Sequence, residues 1–175
     1  AKQIWKKPMA VMVDRYSASA SEIFAGAIQD YQRGLIIGQK TFGKGTVQKL
    51  DNLSSGQIKI TESKFYRVTG AGMQNKGIHP DITLPSTWDI EEIGESSFKT
   101  ALPWDEIKPI NFQRFSLESS LISQLNYEHQ VRVNQNPNLK YILDIRKRYD
   151  TQKNKQVISL NLENRKVEKE ERQSW

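Results

Sequence analysis

The stretch PMAVMVDRYSASASEIFAGAIQDYQRGLIIG, residues 8–38, contains the elements that decide the fold. Residues 8–14 form a short apolar run with Pro at its start and a charge at its end, which is typical of a buried strand. Residues 35–37 form a second apolar run of the same kind. Between the two runs, five apolar residues recur at the spacing of one helical face: Ile23, Phe24, Ala27, Ile28 and Tyr31.

The intervening segment also carries signals for the two ends of a helix. Ser19 and Glu22 have the spacing of a capping box, so we expect the helix to begin at Ser19 and to end at Gly34. A strand, a helix and a strand in so short a stretch form a β-α-β unit, which favours a parallel strand pair with a right-handed crossover. The carboxyl ends of both strands then lie at one edge of the sheet, where open α/β sheets place their binding sites.

The rest of the chain divides into three kinds of segment. Residues 46–50 and 57–66 alternate apolar and polar side chains around a polar turn, which predicts an antiparallel hairpin. Residues 86–116 are interrupted by prolines, and helical spacing returns beyond them. We therefore predict a mixed α/β (α+β) fold with three parts, at residues 1–85, 86–116 and 117–175: a catalytic part, an irregular linker and a helical extension.

Composition narrows the classes of site. The chain of 175 residues has no Cys, which excludes disulfides and thiolate metal sites, and its two His lack the spacing of a catalytic zinc motif. We predict no cofactor and no metal. The net charge is +6, but basic and acidic residues are mixed, as in residues 163–172, which read as a solvated helix with i,i+4 pairs. Nucleic acid is therefore not a predicted partner.

Gly38 and the Gly43-Lys44 pair have the spacing of a phosphate-binding loop, which is the first alternative to consider. Such a loop requires Ser or Thr after the lysine, and Gly45 stands there. It also requires a helix to follow, because the free amides of the helix hold the phosphates. The β-branched, alternating residues after Gly45 predict a strand, so this alternative is rejected.

Ser19 and Lys44 offer a different chemistry. Ser19 lies just after a strand and at the start of a helix, where the N–H of Ala20 can point at a developing oxyanion. A lysine can activate a serine when its amine is neutral, and burial favours the neutral amine. Gln48 lies on the same side of an extended segment as Lys44 and could accept a hydrogen bond from it. The ordinary alternative is an N-cap serine, a solvated lysine and a surface glutamine.

A longer resemblance favours the catalytic interpretation. Residues 13–48, VDRYSASASEIFAGAIQDYQRGLIIGQKTFGKGTVQ, resemble the active-site stretch of the tail-specific, or C-terminal processing, serine peptidases. FYRVTGAGMQNKGIHPDI (residues 65–82) resembles a second segment of that family, and ALPWDEI (residues 101–107) with the helices after it resembles the extension of its long periplasmic members. Residues 96–99 have the Ser-x-x-Lys pattern of the penicillin-binding-protein dyad. We interpret this match as a chance one, because it lies in an acidic, irregular stretch.

The resemblance implies a role for each candidate residue. It implies that Ser19 is the nucleophile, Lys44 the general base, Gln48 the residue that orients the base, and Ala20 a backbone donor to the oxyanion. It implies a ClpP/crotonase-like catalytic half-domain, a location in the periplasm of a Gram-negative bacterium, and protein or peptide substrates with apolar, unstructured C-termini. It also allows an adaptor lipoprotein as a partner and peripheral association with a membrane.

The family also carries a signal peptide, a PDZ-like domain and a glycine-rich oxyanion segment upstream of the serine. None of these is in the 175 residues, so we expect a fragment with the dyad, half an oxyanion hole and little activity alone. Exposed strand edges would favour dimerisation of such a fragment. The alternative function is a catalytically inert scaffold or adaptor that binds partners through residues 117–175.

Overall fold

The computed structural model of the protein describes residues 4–89 and 91–174. Its regular elements are, in chain order, β1 (Ala10–Val13), α1 (Ala20–Asp30), β2 (Leu35–Gly38), β3 (Thr46–Asn52), β4 (Gln57–Lys64), β5 (Ile82–Thr83), α2 (Ser119–Gln135), α3 (Pro137–Lys153) and α4 (Leu162–Gln173). A single 3-10 turn lies at Glu95–Ser97. The predicted mixed α/β fold with a helical extension is confirmed.

The sheet that carries the candidate site has the strand order β1-β2-β5. β1 pairs with β2 in parallel, with Val13 opposite Gly38 at the ends of the two strands. The predicted parallel β-α-β unit is therefore present. β5 adds a third parallel strand beside β2, through Ile37 and Ile82. The sequence indicated only a short extended segment there, since two residues are too few to show an alternation.

The predicted hairpin is also present. β3 and β4 pair antiparallel, and the ladder has an irregularity between Val47 and Gln48. β3 extends two residues further into the turn than predicted, because Asp51 and Asn52 pair with Ile58 and Gln57, whereas β4 begins as predicted and ends at Lys64. The hairpin is mostly exposed, so alternation along it reflects the pleat of the strands rather than a buried face.

The core lies between α1, the parallel sheet and the loop before β5. Five buried residues form one cluster: Val13, Ala25, Ile36, Met73 and Ile78. α1 contributes only Ala25 to it, and the adjacent Gly26 approaches Ile78 so closely that an added Cβ would lie 3.1 Å from its Cδ1. Small residues thus allow the helix to pack close to the layer beneath it.

The predicted apolar face of α1 is wrong in its orientation. The buried residues of the helix are Glu22, Ala25, Gly26 and Asp30, whereas Phe24 is 54% exposed. The helix also ends at Asp30 with Tyr31 as its C-cap, and not at Gly34. Two ionisable residues face inwards because each has partners there. Of the predicted apolar face, Ile23 and Phe24 are exposed, whereas Ile28 is partly buried and packs against the core.

The helical extension contacts the catalytic part through α2. α2 packs against β5, where His129 is buried with its Nε2 3.1 Å from the carbonyl oxygen of Thr83. Asn126 donates a hydrogen bond of 2.8 Å to the carbonyl of Asp81. In α4, the ion pairs are i,i+3 rather than the expected i,i+4, namely Arg165–Glu168 and Lys166–Glu163.

Candidate active site

Ser19 lies at the junction of β1 and α1, where it is the N-cap residue of the helix. Its backbone has φ 57° and ψ −116°, a conformation that side chains rarely adopt and that costs roughly 1–3 kcal/mol. Ser19 and Glu22 form the predicted capping box, in which the N–H of Ser19 donates to the Glu22 carboxylate, although the Ser19 side chain itself makes no hydrogen bond of strict geometry to the helix. Backbone strain of this kind is frequent where a reactive side chain has to be presented.

A buried carboxylate connects this serine to the loop that carries Lys44. Glu22 is fully buried, and its Oε2 accepts hydrogen bonds of 2.9 Å from the N–H of Ser19 and 2.9 Å from the N–H of Lys44. Its Oε1 accepts a hydrogen bond of 2.7 Å from the N–H of Gly43 and one of 2.5 Å from the hydroxyl of Thr41. The backbones of the two candidate catalytic residues are therefore held by one side chain.

Lys44 and Gln48 line a single cleft. Its volume is about 360 Å³, and the two side chains form part of one wall. Gln48 is exposed and donates a 3.3 Å hydrogen bond to the hydroxyl of Thr61, the residue opposite it on β4. Among the hydrogen bonds of the described residues, none joins Gln48 to Lys44, so its orienting role stays a prediction.

The Ser19 hydroxyl and the Lys44 amine are likewise not joined directly. The hydrogen bonds found over residues 4–89 and 91–174 do not include one between these two groups, and Ser19 does not line the cleft. Their backbones are brought together through Glu22, and the N–H of Phe42 also donates a 3.0 Å hydrogen bond to the carbonyl of Ser17. The structure thus places the two loops side by side at the carboxyl ends of β1 and β2.

Ala20 is the first residue of α1, and its amide is one of the free N–H groups that a helix offers at its start. In the part of the chain that the structure describes, no acceptor is recorded for this N–H. The N–H thus lies directly after Ser19, and its role as a donor to an oxyanion stays a prediction. The dipole of α1 adds to its attraction for a developing negative charge.

Two functional residues were missed by sequence reasoning. Gln74 is 1% exposed, and its Oε1 accepts a 2.9 Å hydrogen bond from the N–H of Gly45, directly after Lys44. Arg15 is completely buried, with its guanidinium donating to the carbonyls of Thr41 and Ile93. No local pattern identifies either residue, although an arginine directly after a buried strand is a weak signal of burial.

The charged groups behind the loop lie close together. Burial lowers the pKa of Arg15, against the attraction of Glu22, and burial followed by repulsion from Arg15 lowers the pKa of Lys40. Burial and then Lys40, with smaller effects of other cations, also lower the pKa of His79. Of these groups, Arg15 contacts the site loop directly, which places a positive charge behind the turn that carries Lys44.

The described residues offer neither a cluster of metal ligands nor a helix that could span a membrane. Within residues 4–89 and 91–174, no group of three or more His, Asp or Glu side chains is placed to hold a metal ion. No helix in the same ranges is both long enough and apolar enough to cross a membrane.

Comparison with known families divides the chain near the end of β5. Residues 1–84 match the family described as Peptidase family S41. Residues 88–174 match the family described as C-terminal domain of tail specific protease. The first match contains every candidate catalytic residue, and the second begins just before Asp89.

Individual relatives are named as tail-specific or carboxy-terminal-processing proteases. A tail-specific protease of Haemophilus influenzae is 39% identical over 96% of this chain and 26% of its own length. A carboxy-terminal-processing protease of Bartonella bacilliformis is 45% identical over 45% of this chain and 18% of its own length. A solved structure of a photosystem II D1 C-terminal processing protease is 42% identical over 44% of this chain and 20% of that chain, with a TM-score of 0.42. The chain thus spans about a quarter of the length of the Haemophilus influenzae relative.

Proposed function

Since residues 1–84 of this chain belong to peptidase family S41 and residues 88–174 to the C-terminal domain of tail-specific proteases, we propose that it forms part of a serine endopeptidase with a Ser19–Lys44 dyad. The observation that supports this most is the Glu22 carboxylate, which binds the backbone N–H of both residues. A shared anchor of this kind positions a nucleophile and its base against each other.

The proposed reaction is acyl transfer in two steps. The neutral amine of Lys44 removes the proton of Ser19, whose Oγ forms a bond to the scissile carbonyl carbon. The carbon–nitrogen bond then breaks, and the leaving amine takes the proton from Lys44. Water, deprotonated by the Lys44 amine, attacks the ester carbon. The bond from this carbon to Oγ of Ser19 then breaks, Lys44 returns the proton to Oγ, and the acid is released.

The other parts of the site support the charged intermediates. The N–H of Ala20 stabilises the oxyanion, and Gln48 orients the amine of Lys44 through its side-chain amide. Both Lys44 and Gln48 line the cleft, so this role requires Gln48 to exchange its hydrogen bond to Thr61 for one to the amine. Substrate binding supplies the conditions for such tightening, since apo sites often have longer catalytic hydrogen bonds.

We propose substrates from the names of the relatives, which refer to tails and to carboxy-terminal processing. The substrates would be proteins with exposed, poorly structured C-termini that end in apolar residues, cleaved in the periplasm. An adaptor lipoprotein and peripheral association with a membrane belong to the same proposal.

The test replaces the two dyad residues separately in the full-length protein. Ser19→Ala and Lys44→Met are each expected to lower kcat by a factor on the order of 10³ or more, because the members of a catalytic unit are not additive. Lys49→Met is the matched control, since Lys49 is an exposed lysine on the same strand as Gln48 and forms an ion pair with Asp51. A serine-reactive phosphonate should label the wild type and not Ser19→Ala. Unchanged turnover in Ser19→Ala and Lys44→Met would favour an inert scaffold that binds partners through residues 117–175.

A further inference from the structure

Residues 94–102, which we call the strap, lie across the loop that carries Lys44. The strap belongs to the C-terminal family region, yet both of its ends are anchored to the catalytic part. At one end, the N–H of Glu95 donates a 2.9 Å hydrogen bond to the carbonyl of Phe42. At the other, the side chain of Asn75 donates a 2.9 Å hydrogen bond to the carbonyl of Leu102.

A buried glutamine connects the strap to the residue after Lys44. The Oε1 of Gln74 accepts from the N–H of Gly45, while its Nε2 donates a 3.0 Å hydrogen bond to Oε1 of Glu95. Gly45 is packed so closely on Gln74 that an added Cβ would lie 2.6 Å from the Gln74 nitrogen. The strap is therefore fixed relative to Lys44 by the backbone and by a buried side chain.

The strap supplies the apolar wall of the cleft that contains Lys44 and Gln48. Phe98, Ala101 and Leu102 form this wall. Phe98 is 56% exposed and Leu102 is 41% exposed, although both are large apolar side chains. The Phe98 ring lies 6.4 Å from that of Phe42, so the two rings together border the cleft. A volume of about 360 Å³ is within the range of sites that hold small organic groups.

We propose that this cleft is the subsite for the side chain of the substrate residue that directly follows the scissile bond, and that the strap makes it selective for an apolar side chain. This inference rests on the proposed function. In that reaction Lys44 protonates the leaving amine, so the amine nitrogen has to come within hydrogen-bond reach of Nζ. The side chain of the same residue is attached one carbon away and therefore lies in the cleft that Lys44 lines.

The test uses peptides that are identical except for the residue after the scissile bond, which is Ala, Leu, Phe or Asp. In the full-length protein, Phe98→Ala and Leu102→Ala are expected to lower kcat/KM about tenfold for the Leu and Phe peptides, because one apolar contact discriminates by about that factor. The Ala peptide should change less than twofold. Ile110→Ala is the matched control, since Ile110 is 60% exposed in the same region and does not line the cleft.

The readout is the ratio of kcat/KM between the Leu and Ala peptides, which does not depend on the fraction of each variant that folds. An equal fall for all four peptides, or an unchanged ratio, would overturn the inference while Ser19-dependent cleavage leaves the proposed function intact. Full cleavage by Ser19→Ala, or no cleavage of any peptide by the wild type, would overturn both.

Discussion

At the scale of single residues, Glu22 holds the backbone of the candidate site through both of its carboxylate oxygens. Its two oxygens accept four hydrogen bonds, three from backbone N–H groups and one from the Thr41 hydroxyl. Because it is fully buried, water cannot replace these bonds, and each donor left unpaired costs about 1–3 kcal/mol. The strained backbone of Ser19 is held by one of them, so the carboxylate stabilises a conformation that the chain would otherwise leave.

We predict that Glu22→Gln lowers kcat by roughly 10²-fold with a small change in KM, because displacement of a catalytic group by about 1 Å has an effect of this size. An amide has one acceptor oxygen and an NH2 group that faces donors, so the bonds from Ser19 and Lys44 to one oxygen and the bond from Gly43 to the other cannot all persist. The measurement is kcat and KM with a peptide whose cleavage depends on Ser19, together with Tm. Glu170→Gln, on the outer surface of α4, is the control. A lower Tm with kcat within twofold of the wild type would make Glu22 structural only.

The sequence indicated the contact between Ser19 and Glu22 but not the contacts of Glu22 with the loop after β2. The spacing of Ser19 and Glu22 indicates a capping box, because both residues lie in one helical turn. The bonds from Gly43 and Lys44 to Glu22 join residues that are 21 and 22 positions apart, and they exist only once α1 has packed on the loop after β2. Local patterns carry no information on such contacts. Ser19 and Lys44 could therefore be nominated, whereas their shared anchor could not.

At the scale of elements, α1 shows that the spacing of apolar residues can predict a helix and still not predict which of its faces is buried. The helix itself was predictable from capping and spacing, but its inward face consists of small and ionisable residues. Asp30 faces inwards because Arg67 reaches it from the loop after β4, with a 2.9 Å hydrogen bond from Nε to Oδ2. The Asp30 side chain is 6% exposed and that of Arg67 is 19% exposed, so the pair is largely removed from water.

Removal of one partner of the Arg67–Asp30 pair should therefore lower the free energy of unfolding more than removal of both partners. We predict that Arg67→Met lowers the free energy of unfolding by about 3–5 kcal/mol, because it leaves a buried carboxylate unpaired. The double variant Arg67→Met/Asp30→Leu should lose clearly less. Urea denaturation of both single variants and of the double variant gives the coupling energy. The exposed arginine Arg114 provides the control, Arg114→Met. Additive losses in the double variant would show that the ion pair does not hold α1 in place.

At the scale of the whole molecule, large apolar side chains stay exposed on the outer side of the β-α-β unit. Met12 is 76% exposed and Tyr16 is 56% exposed, and in the described residues β1 pairs with β2 alone. The expected dimerisation through such an edge stays a prediction. Composition and length gave no indication of this surface, because the residues concerned look like core residues in the sequence.

Asp89, in the linker that follows β5, joins that linker to α3 of the helical extension through two ion pairs. Its side chain is 6% exposed and lies 2.6 Å from Nζ of Lys153 and 3.4 Å from a terminal nitrogen of Arg146, both on α3. The hydrogen bond from Lys153, with a further one from the N–H of Glu91, lowers the pKa of Asp89 from 3.8 to about 2. The ionised form is thus the one that the folded chain binds.

The lowered pKa of Asp89 determines the direction in which the free energy of unfolding changes with pH. A carboxylate with a lower pKa in the folded state stabilises the fold above its unfolded pKa, and the contribution is lost as the pH falls from 3.8 towards about 2. We predict that Asp89→Asn lowers the free energy of unfolding at neutral pH by about 1–2 kcal/mol, a modest value because Lys153 is 38% exposed. The difference from the wild type should shrink below pH 3.8. Urea denaturation at several pH values measures it.

Asp144→Asn is the control for this experiment, because Asp144 lies on α3 and has no ion pair among the described residues. Its effect should be small and should not follow the titration of Asp89. A loss in Asp89→Asn that stayed constant from neutral pH to about pH 3 would mean that the charge of Asp89 does not hold α3. The contact between the extension and the catalytic part would then depend on the packing of α2 against β5, where His129 and Asn126 meet the strand and the residue before it.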